Sequence, residues 1–299
     1  MVYVFRLECF YVMRYWYKYY ISSSGKGIIN QAIDSDYSDH ADSMGGYGED
    51  ASYVNKETFF KKYYYGYHLN RLEHYDDFLR KHLNKTSGVL SIASGRCANE
   101  LRLIEEGYHI VCSDLETPHA IPSTKKLFKH LNFIEFDVLK DEPRRQYSAV
   151  MCLSLIYLFD DKALNTFFHR INACLENKGI LILDSAGSED KWLSNFVHDI
   201  ALKCETYLYW LLKSIINKSI FGIIKKHHGY RRTNDEIIRC ALNNGFEIKD
   251  RQDYAFLTEF RRSIIFNLLI PPGSNAEKLF RHIGKRMPYI RMFCFQKAS

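Results

Sequence analysis

The feature that most constrains this fold is a regular alternation of short apolar segments and helix-like segments that begins near residue 88. Five runs of six to ten mostly apolar residues predict strands at 88–94, 109–114, 132–137, 147–156 and 179–186. Helical patterns lie between most of them and indicate a parallel sheet covered on both faces. Right-handed crossovers then predict an α/β, Rossmann-like, doubly wound sheet.

The segments outside this alternation divide the chain further. Residues 1–54 are expected to form an N-terminal amphipathic helix, over 1–20, followed by a Ser/Gly/Asp-rich mobile loop or lid. Residues 55–186 are expected to form the first half of the main domain, the half that would hold any ligand at its strand ends, and 187–229 a helical cap insertion. The sheet pattern resumes over 230–299, the C-terminal part of the same domain, which contains a second helical insertion.

A turn of small residues, Ala93-Ser94-Gly95, follows the first strand and precedes a helix. Small side chains there let a ligand approach the backbone, and the N–H groups of the helix point at it. Neither a G-x-G-x-x-G fingerprint nor a P-loop is present, which argues against a pyrophosphate site. Asp114 ends the second strand and Asp137 the third, where carboxylates can accept hydrogen bonds from ribose hydroxyls and an exocyclic amine. Together these features predict a nucleoside-type ligand.

These segments resemble the motifs of class I S-adenosylmethionine-dependent methyltransferases of the small-molecule type. "VLSIASG" is similar to the first motif, and "IVCSDLE", "FIEFDVL" and "YSAVMCLSLIYLF" resemble the segments at the next strand ends. "LENKGILILDSA" and "GYRRTNDEIIRCALNNGFEIKD" resemble the segments around strand five and near the C-terminus. The resemblance implies a seven-stranded sheet, with an antiparallel last strand inserted between strands five and six, and S-adenosylmethionine as cofactor. The cofactor-binding residues that it implies are Ala93, Ser94, Gly95, Asp114, Leu115, Asp137, Val138, Leu153 and Ser154.

The first motif departs from the family pattern. Ser91 stands at the position of the usual acid, while Ala93 and Cys97 stand at those of the first and third glycines. Glu100, on the first turn of the following helix, is a candidate replacement for the missing acid. These departures keep open an alternative in which the chain is a catalytically decayed nucleoside-binding or scaffold protein. A nicotinamide-dependent reductase is a further alternative, which the missing G-x-G-x-x-G disfavours.

As a methyltransferase, the chain is expected to act on a small molecule or a glycan, including a lipid-linked one, by in-line O-methylation. Tyr157 is the candidate for lining the reactive end of the pocket and His228 the candidate base. Arg231 and Arg232 are candidates for binding an anionic group of the substrate. No N-P-P-Y motif is present, which disfavours adenine-N6 and glutamine acceptors.

Charge and cysteine usage bound the partners and the compartment. The 41 Lys and Arg residues exceed the 35 Asp and Glu residues, but the basic pairs are scattered, so no nucleic acid is expected. None of the eight cysteines forms a C-x-x-C pair, which indicates reduced thiols in a cytoplasmic protein without a metal site. Residues 1–20 or 206–226 could make a peripheral membrane contact, and the oligomeric state stays open.

Overall fold

The computed structural model describes residues 14–22, 28–31, 55–61, 75–217, 222–255, 269–271, 273–284 and 288–298. The chain divides into two compact units. The sheet unit is built from segments within 37–185, 234–253 and 291–299, and the insertion unit from segments within 1–36, 186–233 and 254–290. The predicted domain boundaries and the role of 187–229 as a cap stay predictions.

Seven strands form the main sheet in the order β5-β4-β3-β6-β7-β10-β9. Their bounds are β3 Gly88–Ile92, β4 His109–Asp114, β5 Asn132–Glu135, β6 Tyr147–Cys152, β7 Leu175–Ala186, β9 Phe246–Ala255 and β10 Pro288–Lys297. Strands β5, β4, β3, β6 and β7 are parallel, with Val89 opposite both Ile110 and Ala149. The central strands are buried, as their continuous apolar sequences require.

Strand β10 confirms the expected insertion of the last strand. It lies between β7 and β9. The Gly187 N–H, just after β7, bonds to the carbonyl of Tyr289 near the start of β10, while the Gln296 amide near its end bonds to the carbonyl of Lys178. Strand β10 therefore runs antiparallel to β7, and the Rossmann-like fold is confirmed.

The helices of the sheet unit follow local signals in the sequence. They are α1 Lys56–Phe60, α2 Ala98–Glu105, α3 Ile121–Leu127, α4 Asp161–Cys174 and α6 Asn234–Asn243, with a further helix over 75–82. Helix α4 begins after Asp160, whose carboxylate accepts a hydrogen bond from the Ala163 N–H at 2.7 Å. Phe167, Phe168 and Ile171 on one face of α4 are fully buried in the main core, as expected from their helical spacing.

The insertion unit differs in part from the expected helices. Its helices are α5 Trp192–Ile216 and α7 Asn275–Gly284, but β1 Tyr15–Ser22, β2 Ile28–Gln31 and β8 Gly222–Tyr230 form a three-stranded sheet in the order β1-β8-β2. The predicted helix over 1–20 is therefore wrong for 15–20, and the helical insertion is wrong for 222–229. Aromatic and β-branched residues favour strands once a partner is available, and β1 pairs antiparallel with β8.

Two remaining expectations fall largely outside the described residues. The first is the N-terminal helix over residues 1–13. The second is the mobile loop up to residue 54, whose described part includes β2. In the part of the chain that the structure describes, no helix is long and apolar enough to cross a membrane.

Candidate functional site

The loop between β3 and α2 has an unusual backbone. Ala93, Gly95 and Cys97 have φ angles of 55°, 51° and 59°, in the left-handed region that residues other than glycine rarely adopt. A Cβ atom added at Gly95 would meet no atom within 4 Å, so this part of the loop faces open space. The Ser94 N–H donates to the Ser113 carbonyl at 2.9 Å, which attaches the loop to β4. The structure thus provides an open backbone turn at the carboxyl end of β3.

Asp114, the last residue of β4, fixes this loop. Its Oδ2 accepts a hydrogen bond from the Gly95 N–H at 2.8 Å, and its Oδ1 accepts one from the Leu115 N–H at 2.9 Å. The side chain is buried, with 5% of its surface exposed. The structure therefore brings together three of the predicted cofactor-binding residues, Gly95, Asp114 and Leu115, at adjacent strand ends.

A second carboxylate, that of Glu100, lies beside the same loop. The Ser91 hydroxyl donates to Glu100 Oε1 at 2.6 Å, and Glu100 is only 3% exposed. None of the described residues donates a hydrogen bond to Glu100 Oε2. Burial raises the pKa of Glu100, although the hydrogen bond from Ser91 opposes this shift. The structure therefore has a carboxylate next to Ser91, the position where the family pattern has an acid.

The thiols of Cys97, at the end of the loop, and Cys112, on β4, are also buried. Burial raises the pKa of both thiols, and they are hydrogen-bonded to each other. Both thiols are therefore protonated at neutral pH, and protonated thiols are poor nucleophiles. Neither thiol therefore adds charge at this end of the sheet.

The end of β5 is connected to the end of β4. The Phe136 N–H donates to the carbonyl of Asp114 at 2.9 Å. Asp137 follows in a turn, where its Oδ1 accepts from the Leu139 N–H at 2.9 Å and its Oδ2 lies 3.2 Å from Lys140 Nζ. Val138 is buried in the core. Contact of Asp137 and Val138 with a nucleobase stays a prediction.

A further buried carboxylate, that of Asp184 on β7, lies beside the end of β6. Ser154 has a φ of 58°, and its N–H donates to Asp184 of β7. Asp184 also accepts a hydrogen bond from the Tyr75 hydroxyl, and the Asp184 side chain is buried. Leu153 is buried beside this turn, and Tyr157 is buried in the 3₁₀ turn Ile156–Leu158. Sequence reasoning missed Tyr75, whose spacing relative to Phe78 and Leu79 indicated only a core position.

Three predicted site residues belong to the insertion unit instead of the sheet unit. Arg231 is fully buried, and its two terminal nitrogens bond the Asp199 carboxylate at 2.6 and 3.0 Å. His228 is buried edge-on against Trp16, with ring centroids 4.5 Å apart. Arg232 is buried with its guanidinium over the Tyr230 ring. This geometry gives no support to the predicted anion-binding role of the arginines or to His228 as the base.

Metal binding has no support in the part of the chain that the structure describes. Among these residues, no group of three or more His, Cys, Asp or Glu side chains is arranged to hold an ion. The carboxylates and thiols around the β3–α2 loop already contact neighbouring protein groups, and the loop itself also carries Arg96. Their arrangement suits an organic ligand that donates hydrogen bonds.

Comparison with known proteins supports the fold. No family model and no curated protein matches the chain. The 1,6-didemethyltoxoflavin-N1-methyltransferase of Burkholderia thailandensis, solved with bound 1,6-didemethyltoxoflavin and S-adenosylhomocysteine, matches over 90% of this chain and 93% of its own, with 12% identity and a TM-score of 0.50. The glycopeptide N-methyltransferase MtfA complexed with S-adenosylmethionine matches over 76% of this chain and 87% of its own, with 11% identity and a TM-score of 0.50. The chain thus has the fold of these methyltransferases.

Proposed function

We propose that this protein is an S-adenosylmethionine-dependent methyltransferase that acts on a small molecule or a glycan. The observation that carries the proposal is the left-handed β3–α2 loop, which faces open space at Gly95 and is attached to the Asp114 carboxylate. The strand-end position matches the place where ligands bind in open α/β sheets. The names of the two matched structures agree with a methyl-transfer reaction on compounds of this class.

The residues around the loop fit the chemistry of the cofactor. S-adenosylmethionine has a ribose diol, which can donate to a carboxylate, and an α-ammonium group, which can donate to a second one. Asp114 is placed at the strand end for the first role, and Glu100 has a carboxylate oxygen without a hydrogen-bond donor for the second. The sulfonium carries no hydrogen, so the ammonium is the one cationic group of the cofactor that can satisfy Oε2 directly or through a water molecule.

When bound, the cofactor supplies a methyl group made electrophilic by the positive sulfur. The tasks of the protein are then to orient the acceptor in line with that methyl group and to exclude water. The hydrogen bonds from Gly95 and Leu115 hold Asp114 in one orientation, and the bond from Ser154 to Asp184 holds the β6 turn. We propose that Leu153 and Tyr157 form the apolar wall at the reactive end.

We propose oxygen as the methylated atom, which requires removal of a proton from a hydroxyl group. Both matched structures are named as N-methyltransferases, so nitrogen is the competing outcome. Mass spectrometry of products from a panel of hydroxylated and aminated acceptors, with fragmentation to locate the methyl group, separates the two. Methylation confined to amines would contradict the oxygen assignment and leave the cofactor assignment intact.

Binding of S-adenosylhomocysteine tests the cofactor proposal. Calorimetry should show binding to the wild-type protein and a loss of about 100-fold in affinity for Asp114→Ala, since both the carboxylate and the Gly95 contact are removed. Asp253→Ala is the matched control, because this exposed aspartate lies on β9, near the other edge of the main sheet from β4, and should leave affinity unchanged.

The decayed-scaffold alternative makes the opposite prediction in the same experiment. The replacement of the motif acid by Ser91 and of two glycines by Ala93 and Cys97 favours this alternative. If the folded wild-type protein did not bind S-adenosylhomocysteine at all, the scaffold function would replace the enzyme. If it bound with equal affinity in the Asp114→Ala variant, the site would lie elsewhere.

A further inference from the structure

The first half of helix α5 is fixed within the insertion unit by buried polar contacts. The Asn195 amide donates to the Ser188 carbonyl at 2.5 Å, and Asp199 receives both terminal nitrogens of Arg231. Ser194 and Asn195 are buried. Polar contacts within the insertion unit therefore fix which side of this half of the helix faces inward. Because the helix is continuous, they also fix the orientation of the residues that follow.

The second half of α5 presents large apolar side chains to solvent. These residues, which we call the α5 outer face, are Tyr207, Leu208, Tyr209, Leu211, Leu212, Ile215 and Ile216, and they are 40–75% exposed. Six of them form the pairs 207/208, 211/212 and 215/216. Each pair follows the previous one by four residues, so the pairs share one side of the helix. Thr206, Trp210, Lys213 and Ser214 lie on the half-buried side, so three of its four residues are polar. The helix thus has the reverse of the polarity that a water-facing helix normally shows.

Seven large apolar or aromatic side chains exposed on one side of a helix require an explanation. Monomeric soluble proteins rarely expose contiguous apolar patches beyond a few hundred Å², and single exposed apolar residues elsewhere, such as Leu242, do not form such a surface. Tyrosine is favoured where one end of a side chain is in an apolar phase and the other in water. Tyr207 and Tyr209 at one end of the face therefore suit a membrane–water boundary.

The charge of the surrounding sequence selects among possible partners. No Asp or Glu occurs from residue 206 to 232, whereas Lys213, Lys218, Lys225 and Lys226 do. This stretch is strongly one-sided in a chain where 41 basic residues are nearly balanced by 35 acidic ones. Basic residues near an apolar helical face attract anionic lipid headgroups. A second copy of the chain would instead bring a segment of the same positive charge, which repels its counterpart.

We propose that the α5 outer face binds the surface of an anionic lipid bilayer. None of the described helices can span a membrane, so α5 would lie in the plane of the interface with its apolar side chains among the lipid headgroups. This interaction goes beyond the proposed methyl transfer, because it needs neither the cofactor nor the acceptor. It places the protein where membrane-embedded or lipid-linked compounds are accessible.

Vesicle flotation of the full chain tests the proposal. The probes are vesicles of phosphatidylcholine alone and vesicles of equimolar phosphatidylcholine and phosphatidylglycerol, each at low and high salt. The wild-type protein should float with the anionic vesicles and less so at high salt. Leu212→Gln with Ile216→Gln should reduce the partition coefficient by about tenfold or more, because both apolar contacts are lost. Leu242→Gln, an equally exposed leucine outside the face, is the matched control.

Each other outcome overturns the proposal. Wild-type protein that stays unbound, or that floats equally well with both vesicle types at any salt concentration, would contradict the role of the anionic surface. Binding that survives the double substitution would place the contact elsewhere. Sedimentation in the absence of lipid identifies the competing occupant: a wild-type dimer that the double variant dissociates, without vesicle binding, would make a second copy the partner. Circular dichroism of each variant confirms that it is folded.

Discussion

Replacing Glu100 by glutamine should stabilise the protein and weaken the cofactor site at once. Burial raises the pKa of Glu100 above its usual 4.5. At pH values between the pKa of Glu100 in the unfolded chain and its higher pKa in the folded protein, the folded state binds more protons than the unfolded state. The free energy of unfolding therefore falls as the pH rises through this window, by up to about 1.4 kcal/mol per pH unit. Above the folded-state pKa, Glu100 is ionised and incompletely hydrogen-bonded, and its destabilising effect on the folded protein is complete. Glutamine has no proton to lose and retains an oxygen for the Ser91 hydroxyl.

Urea unfolding at a series of pH values measures this effect. Below about pH 3 the wild type and Glu100→Gln should be similarly stable, because the glutamate is protonated in both the folded and unfolded states. Near neutral pH the variant should be more stable by about 1–3 kcal/mol. Glu105→Gln, on the last turn of the same helix, is exposed and should show no such pH-dependent difference. A Glu100→Gln variant that is less stable than the wild type at neutral pH would refute the reasoning.

The same variant tests the proposed contact between Glu100 and the cofactor ammonium. S-adenosylhomocysteine should bind Glu100→Gln about 10- to 100-fold more weakly, because a charge-assisted hydrogen bond to the ammonium is lost. Methylthioadenosine has no amino-acid moiety, so its affinity should be the same for both proteins. For the wild type, the affinity of S-adenosylhomocysteine should rise with pH as Glu100 ionises. Equal losses for both ligands would show that the substitution disturbs the loop instead of removing an ammonium contact.

The remaining predictions concern the loop and the buried ion pair. Gly95→Ala should lower the free energy of unfolding by about 1–2 kcal/mol through left-handed strain alone, whereas Ala93→Gly should relieve strain and be neutral or stabilising by up to about 1 kcal/mol; urea unfolding of both variants checks the opposite signs. Asp199→Ala should destabilise the protein by about 3–5 kcal/mol, because it leaves the fully buried Arg231 guanidinium uncompensated. Asp235→Ala, an exposed position, should change stability little, and equal effects of the two aspartate substitutions would contradict the assigned ion pair.

The main sheet was predictable because its strands are buried on both faces. Segments such as Gly88–Ile92 and Tyr147–Cys152 are almost continuously apolar, which local sequence reveals directly. The N-terminal segment was not predictable in this way. Its pairing partner lies far along the chain, with Tyr15 opposite Tyr230. Aromatic residues interrupted by charges fit an amphipathic helix locally, and only a distant strand decides between the two structures.

The residues of the candidate site likewise differ in whether local sequence or a distant contact determines their position. The positions of Gly95 and Asp114 follow from where strands end, so the sequence predicts them. The bond from Tyr75 to Asp184 joins residues 109 positions apart and has no local signal. Arg231 was expected to bind an anionic ligand, because an arginine before a helix suits that role. The sequence could not show that Asp199 on α5 already occupies its guanidinium.

The β3–α2 loop has left-handed backbone at two residues other than glycine, Ala93 and Cys97. Left-handed backbone at Ala93 and Cys97 costs roughly 1–2 kcal/mol at each residue. Such strain persists where the surroundings over-determine the conformation, and here hydrogen bonds from Ser94 to Ser113 and from Gly95 to Asp114 hold the loop to β4. The shape of the turn therefore depends on β4 at least as much as on glycine content. A count of glycines underestimates such a site, because the residues that preserve its geometry lie on the neighbouring strand.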